Sequence, residues 1–350
     1  MKVILDEVCE RESSNLKQSD VINNNGDYPI YGAAGYIGNV DFYHQGNPYI
    51  AVVKDGAGIG RATLLPAYSS VIGTMQYLIP KSNVLPEYLY YVIRNMHLEK
   101  YYTGATIPHI YFKDYKKETF NLSSIEEQRK IVDILGKVER IIEARTLEIE
   151  QFNILIKARF VEMFGNVDTG NYRYKTYKLG DVASVGSSHR VFTTEFVEKG
   201  VPFYRGTEIG ELANGIKPTE PYFISKEQYN RLANDDTKPQ IGDLLMPSIC
   251  NKGQVWMVDT KEPFYYKDGR VLCISPDREI FDTKYLEYFM RVKTLVTYPK
   301  LGSGSTFAEF KIFLLKGIDV LVPPRNLQEQ FADFVRQVDK SKLSVSFDRI

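Results

Sequence analysis

Ser123-Ser124-Ile125-Glu126-Glu127-Gln128-Arg129-Lys130-Ile131-Val132 opens the stretch that decides how this chain is organised. From Ile125 to Met163 there is no proline, and the one glycine, Gly136, stands alone. Ser123 or Ser124 is a ready N-cap, and Glu126 and Glu127 complement the positive end of the helix dipole. Ile131, Leu135, Val138, Ile142, Ile149, Phe152 and Ile156 follow alternating steps of four and three, with Arg145 and Arg159 at the remaining seam positions. That spacing predicts a coiled-coil helix. At 1.5 Å per residue it would run about 55–60 Å, longer than a compact domain needs. It must therefore pack against something beyond its own domain.

Working outward, the stretch proves to close the first of two related halves. Lys2-Val3-Ile4-Leu5-Asp6-Glu7-Val8 answers to Tyr177-Lys178-Leu179-Gly180-Asp181-Val182, and Tyr28-Pro29-Ile30-Tyr31-Gly32 to Val201-Pro202-Phe203-Tyr204-Arg205-Gly206. Gly60-Arg61 answers to Gly253-Gln254, and Pro86-Glu87-Tyr88-Leu89 to Thr283-Lys284-Tyr285-Leu286. Gly104-Ala105-Thr106 answers to Gly304-Ser305-Thr306, and Glu127-Gln128 to Glu329-Gln330. The offset grows steadily, from 174 at Leu5 and Leu179 to 202 at Glu127 and Glu329, as loop insertions in the second copy would make it.

Each copy begins with short β-type runs separated by Gly, Pro and Asn, continues into a helical stretch (87–100 and 284–293), and closes with a helix. The expected architecture is α+β. Two mostly β domains, 1–122 and 166–325, are each followed by a helix, 123–165 and 326–350, and the two helices pair as an antiparallel coiled coil. The second helix is legible from Asn326 to about Ser344, with Phe331, Phe334, Val335 and Val338 on one face. It is short or truncated, because Ser344–Ile350 loses the heptad.

The bulk composition narrows the class of protein. At 350 residues the chain holds two ordinary domains, and 43% hydrophobic with 25% charged residues is globular. No run approaches the ~18 apolar residues of a membrane span, and the N-terminus is not a secretory signal, so a cytoplasmic protein is expected. Cys9, Cys250 and Cys273 lack the spacing of a zinc site or disulfide framework and suit buried positions in a reducing compartment. Lys+Arg and Asp+Glu balance at 44 each, so attraction to nucleic acid, if present, must be local.

The domain-closing segments resemble those of Type I restriction–modification specificity subunits. They are Thr103-Gly104-Ala105-Thr106-Ile107-Pro108-His109-Ile110 followed by 123–132, and Gly302-Ser303-Gly304-Ser305-Thr306 followed by Val322-Pro323-Pro324-Arg325-Asn326-Leu327-Gln328-Glu329-Gln330. In that family a Gly-Ser/Thr loop precedes a Pro pair and a Glu-Gln dipeptide opening a helix. Leu155–Gly165 is also similar to that helix's ending. Ser123-Ser124 replaces the Pro pair in the first copy, and the second helix lacks the Phe160–Gly165 ending. The resemblance implies a non-catalytic subunit with no cofactor and no metal. Each domain would read one half of a split, asymmetric site in double-stranded DNA. The helices would act as a ruler and dock two methyltransferase (modification) subunits, joined by restriction (motor and nuclease) subunits. The subunit and coiled-coil interface would include Ile131, Leu135, Val138, Ile142, Ile149, Phe152, Phe331, Phe334 and Val338.

Reading DNA needs phosphate contacts for register and donor–acceptor contacts to base edges for sequence. Lys54-Asp55-Gly56-Ala57-Gly58-Ile59-Gly60-Arg61 sets three glycines between two cations, so its backbone could approach a phosphate while Arg61 reaches a guanine. A plain hairpin turn is the alternative. Asn251-Lys252-Gly253-Gln254 takes the same place in the second copy, with Asn251 and Gln254 suited to adenine. Thr103, Thr106, Ser303, Ser305 and Thr306 are small donors suited to phosphate. His109 fits a structural hydrogen bond as well as a contact. His189, Arg190 and Arg205 complete the candidates. Arg145 and Arg159 have a plain alternative in ion pairs with glutamates of the partner helix.

Two enzyme readings and a scaffold compete. Asn47-Pro48-Tyr49 and Asp55–Gly60 look like fragments of an adenine methyltransferase, but no strand–glycine loop–helix unit follows Gly60. Pro276-Asp277 with Asp282-Thr283-Lys284 superficially matches a nuclease metal site, yet reads more simply as a loop and an N-cap. A scaffold without DNA contact suits the zero net charge but leaves the closing segments unexplained.

Overall fold

A computed structural model describes the chain except residues 22–23, 105–106, 236, 302–307 and 348–350, and the side chains of 343–347. Thr106, Ser303, Ser305 and Thr306 therefore lie outside the described residues. Two units emerge, Met1–Ala144 and Arg145–Ile350.

Along the first unit run β1 (Lys2–Ile4), α1 (Leu5–Val8), β2 (Cys9–Ser13), β3 (Tyr28–Gly32), β4 (Gly35–Val40), β5 (Tyr49–Val53), β6 (Ala62–Leu65), β7 (Ser70–Val71), β8 (Met75–Pro80), α2 (Pro86–Asn95), α3 (Phe112–Tyr115), β9 (Thr119–Asn121) and the start of α4 (Ile125–Phe164). The second continues with β10 (Gly165–Asn166), β11 (Asn171–Tyr172), β12 (Thr176–Lys178), α5 (Leu179–Val182), β13 (Ala183–Gly186), β14 (Val201–Tyr204), α6 (Gly206–Ala213), β15 (Tyr222–Ile224), α7 (Lys226–Leu232), β16 (Leu244–Pro247), β17 (Trp256–Met257), β18 (Tyr265–Tyr266), β19 (Val271–Pro276), α8 (Thr283–Thr297), α9 (Ile312–Lys316), β20 (Asp319–Leu321) and α10 (Arg325–Phe347).

Three sheets of the first unit recur in the second with the same strand order: β2-β8-β5-β6 as β13-β19-β16-β17, β4-β3-β7 as β15-β14-β18, and β1-β9 as β12-β20. β3 and β7 pair in parallel at Ile30 and Ser70, as β14 and β18 do at Phe203 and Tyr265. The centre of each larger sheet is dry: every residue of β5 and of β16 is buried. Behind it lie α2 or α8, whose Tyr88 and Tyr285 hydroxyls donate to Asn121 O and Leu321 O at 3.0 and 3.1 Å.

The closing helices correct one sequence match. Gln128 is fully buried: its Oε1 accepts from Leu85 N at 2.8 Å, and its Nε2 donates to Asn83 O and Ser123 O at 3.0 and 2.9 Å. Gln328 does the same with Asp282 N, Ile280 O and Pro323 O at 3.0, 3.0 and 2.8 Å. The counterpart of Gln128 is thus Gln328, two residues before the match the Glu-Gln dipeptide suggested; Gln330 is exposed. That register sets Ser124 against Pro324 and Glu127 against Leu327. Ser124 and Glu127 form a capping box, with Ser124 N donating to Glu127 Oε2 at 3.2 Å and Glu127 N to Ser124 Oγ at 3.3 Å. Pro324 has no N–H to satisfy, so the second helix dispenses with the glutamate.

α4 is continuous for 40 residues and α10 for 23, so the distal helix runs slightly beyond Ser344. The expected seam is divided between two tasks. Ile131 and Val132 pack on the first unit's own core, while Val138 and Ile142 are exposed. In the second unit Phe152, Ile156, Phe160 and Phe164 join Phe331, Phe334, Val335 and Val338 in one core. Ile149 of that unit and Leu135 of the first are half-buried and belong to neither core. Phe331, near the start of α10, meets Phe160 and Phe164 at the end of α4 at 5.3 and 5.6 Å between ring centroids, the contact an antiparallel pair makes. Arg145 and Arg159 each pair with a glutamate of their own helix, Glu148 at 2.8 Å and Glu162 at 2.7 Å. The predicted helix 87–100 is also interrupted: α2 ends at Asn95, and His97 at φ 52° turns the chain into a short 3-10 segment, Leu98–Tyr101.

Candidate nucleic-acid interface

Lys54–Arg61 is the hairpin joining β5 to β6. Gly60 N donates to Val53 O at 2.9 Å and Arg61 N to Gly58 O at 3.2 Å. A strand–turn–strand of this kind is not the strand–glycine loop–helix unit that the methyltransferase reading needs. Gly60 has φ +80°, and a Cβ there would lie 2.5 Å from Glu99 N. Its counterpart Gly253 has φ +67°, and a Cβ there would lie 2.8 Å from Arg291 O. These matched glycines let the hairpin press against the helical segment behind it, which is a packing role rather than phosphate approach.

Arg61 turns back over the sheet and donates from Nη2 to Ala33 O. With Tyr31, Gly32, Thr63 and Met75 it lines a cleft of about 140 Å³. Beside the hairpin, a wider cleft of about 720 Å³ is lined by Asp55, Thr103, Gly104, Ile107, His109 and Tyr111. Thr103 and His109 exchange backbone hydrogen bonds at 2.9 Å, and the His109 ring bonds to Asp55 and packs against Tyr111 at 4.0 Å. His109 therefore organises this cleft. Lys54, mostly buried, lies 4.0 Å from Asp55.

In the second unit, Arg205, Gly206, Ser248, Gln254, Lys267 and Arg270 line a cleft of about 470 Å³. It occupies the place of the Arg61 cleft. Lys267 N donates to Tyr204 O as Ile72 N does to Tyr31 O, both at 2.9 Å, so Arg205 stands where the first unit has Gly32. Gln254 stands where it has Arg61. Asn251 and Lys252 are exposed on the turn, and Lys252 N donates to Gln254 Oε1 at 2.9 Å. Arg270 pairs with Glu309 at 2.7 Å. His189 and Arg190 do not line this cleft: His189 Nε2 meets Asp235 at 2.6 Å, and Arg190 lies 3.5 Å from Asp268. The hydrogen bond from His189 holds the Asp235 carboxyl down at about 2.

Lys267 and Arg270 were not singled out from sequence, although Lys267-Asp268-Gly269-Arg270 repeats the cation–glycine–cation pattern of Lys54–Arg61. Glu208, which holds Arg205, carried no signal at all.

The enzyme readings lose their residues to structural roles. Tyr49 is fully buried and bonded to Ser69 Oγ at 3.0 Å. Asp282 caps α8, accepting from Lys284 N and Tyr285 N at 2.9 and 3.1 Å. All three cysteines are buried, and burial pushes the Cys9 and Cys250 thiols up to about 12 and about 11. Among the described residues no helix is long and apolar enough to cross a membrane, and no group of three His, Cys, Asp or Glu is placed to hold a metal.

A family model described as the Type I restriction modification DNA specificity domain matches residues 1–151 and 171–346. The MjaIX specificity subunit of a Type I restriction enzyme from Methanocaldococcus jannaschii is 22% identical over 290 residues, 74% of this chain and 63% of that protein. The MjaVIII specificity subunit from the same organism is 22% identical over 316 residues, 83% of this chain and 72% of that protein. The match with the first thus spans less than two thirds of its length. Among solved structures, a Type-I restriction-modification S subunit from M. genitalium covers 100% of this chain and 91% of its own at 15% identity, with a TM-score of 0.63. A chain solved for complex assembly and conformational transition of the type I R-M system covers 100% and 92% at 16% identity, with a TM-score of 0.51. These structures share the fold. With the family model matching both sheet-bearing units, the chain belongs to the Type I restriction–modification DNA specificity family.

Proposed function

We propose that this chain is the non-catalytic DNA-reading subunit of a Type I restriction–modification enzyme in the cytoplasm. Each unit reads one half of a split, asymmetric duplex site. The paired closing helices set the spacing and dock two methyltransferase subunits, which restriction subunits join. The observation that carries this reading is the repetition of one topology in two units that both match the family model, while the clefts at the same place present different side chains. One fold used twice with different pocket chemistry is what a reader of an asymmetric site requires. The residues assigned to DNA are Lys54, Arg61, Thr103, Thr106 and His109 in the first unit. In the second they are His189, Arg190, Arg205, Asn251, Lys252, Gln254, Ser303, Ser305 and Thr306. Exposed Val138 and Ile142 are the natural place for a docked subunit on α4.

The test is a methylation assay of the chain co-assembled with its methyltransferase subunits, on DNA randomised across the site. Arg61→Ala is expected to relax base preference in one half-site and Arg205→Ala in the other. Each lost bidentate contact is worth about 1–3 kcal/mol, so discrimination at one position falls at least about fivefold. A change in both halves from either variant overturns the assignment of these arginines.

A further inference from the structure

We propose that Glu208 is a positioning residue that holds Arg205 as a rigid guanine-reading fork in the second unit. The proposal rests on the DNA-reading function above and adds the base, the geometry and a second residue. Glu208 is 4% exposed, and it binds Arg205 twice. Its Oε2 accepts from Arg205 N at 2.7 Å, fixing the backbone at the start of α6. Its two oxygens accept from Arg205 Nε at 3.2 Å, and Oε1 also accepts from Nη2 at 2.5 Å. The guanidinium also lies over the Tyr222 ring, with Cζ 4.5 Å from its centroid.

The consequence follows from the shape of arginine. A guanidinium carries five N–H donors in a planar fork, and the carboxylate occupies the Nε–Nη2 edge. The remaining Nη1–Nη2 edge has the spacing that matches guanine O6 and N7 in the major groove. Arg205 lines the cleft with Gln254, so the fork is presented where the first unit presents Arg61. The carboxylate has a further effect: it cancels the arginine's charge locally, weakening attraction to phosphate while leaving the directional donors in place. A free arginine would grip any sequence, whereas one held on a carboxylate contributes mainly where an acceptor pair meets its outer edge. Lys267, exposed on the same rim and without a carboxylate partner among the described residues, is the opposite case, a charge suited to phosphate. The first unit lacks the device, having Gly32 at the Arg205 position and a backbone carbonyl, Ala33 O, as the partner of Arg61.

The experiment expresses the full chain with its methyltransferase subunits in a host and reads the methylated motif from genomic DNA. The wild-type motif should contain a guanine in the half-site that Arg205→Ala relaxes, with methylation of sites bearing another base there rising at least about fivefold. Arg205→Lys keeps the charge but loses the fork and should relax the same position. Glu208→Gln keeps the volume and one acceptor for the backbone and should relax that position at least threefold, leaving the other half-site unchanged. Lys267→Ala should lower methylation of all sites alike and leave the motif intact. An unchanged motif in Arg205→Ala, or in Glu208→Gln when Arg205→Ala relaxes it, overturns the proposal while the DNA-reading function stands. A wild-type complex with no two-part motif overturns both.

Discussion

The two units answer the same problem with the same sheets but with an arginine from opposite walls. In the first, Arg61 comes from the β5–β6 hairpin, reaches Ala33 O and lines a cleft with Gly32. In the second, Arg205 comes from the end of β14, and the hairpin contributes Gln254. The sheets tolerate this exchange because both positions lie at strand ends, outside the buried centres of β5 and β16. Residues that hold the fold are repeated almost atom for atom, as at Gln128 and Gln328; residues that face the clefts are not. The difference separates what the scaffold needs from what the proposed reading of two half-sites would vary.

The largest test of this division is on the closing helices. Phe160 sits among Phe164, Tyr285, Tyr288, Phe289 and Phe331, and is buried. Phe160→Ala should cost about 3–5 kcal/mol of stability. Hydrogen exchange should then lose protection in 271–298 and 310–342 while 49–80 keeps it; equal loss in both would show that the two units do not unfold independently.

Smaller and more diagnostic is the glutamine pair. Gln128→Ala and Gln328→Ala each strand three backbone groups, most of them half-buried, so each should destabilise its own unit by about 1–3 kcal/mol. Gln330→Ala should stay within about 0.5 kcal/mol, as exposed positions do. Denaturant titration decides it, and a larger effect at Gln330 would restore the Glu-Gln register. Smallest is the cap. Ser124→Ala should cost about 1 kcal/mol through loss of the capping box. Pro324→Ala, where no box exists, should cost clearly less. Equal costs in thermal melts would mean the two helices start alike after all.

Sequence alone determined the architecture, because it is written in local terms. A proline-free run from Ile125 with a serine cap makes a helix wherever it is placed, and alternating apolar runs between glycines make short strands. The repeated order of such signals is enough to reveal two domains. Glycines at 60 and 253 also matched correctly, because a positive φ beside a helix leaves only glycine. What required tertiary structure was pairing across distance. Gln128 and Gln328 align through partners some 45 residues upstream, whereas the Glu-Gln dipeptide is a local likeness two residues out of step. Ile131 and Val138 share one heptad pattern, yet the first is covered by its own domain and the second is exposed, a matter of what lies opposite. Likewise Lys267 enters the Arg205 cleft only because β18 lies parallel to β14. Periodicity fixes which face of an element is apolar; only the fold decides what meets that face, and the clefts are built from those meetings.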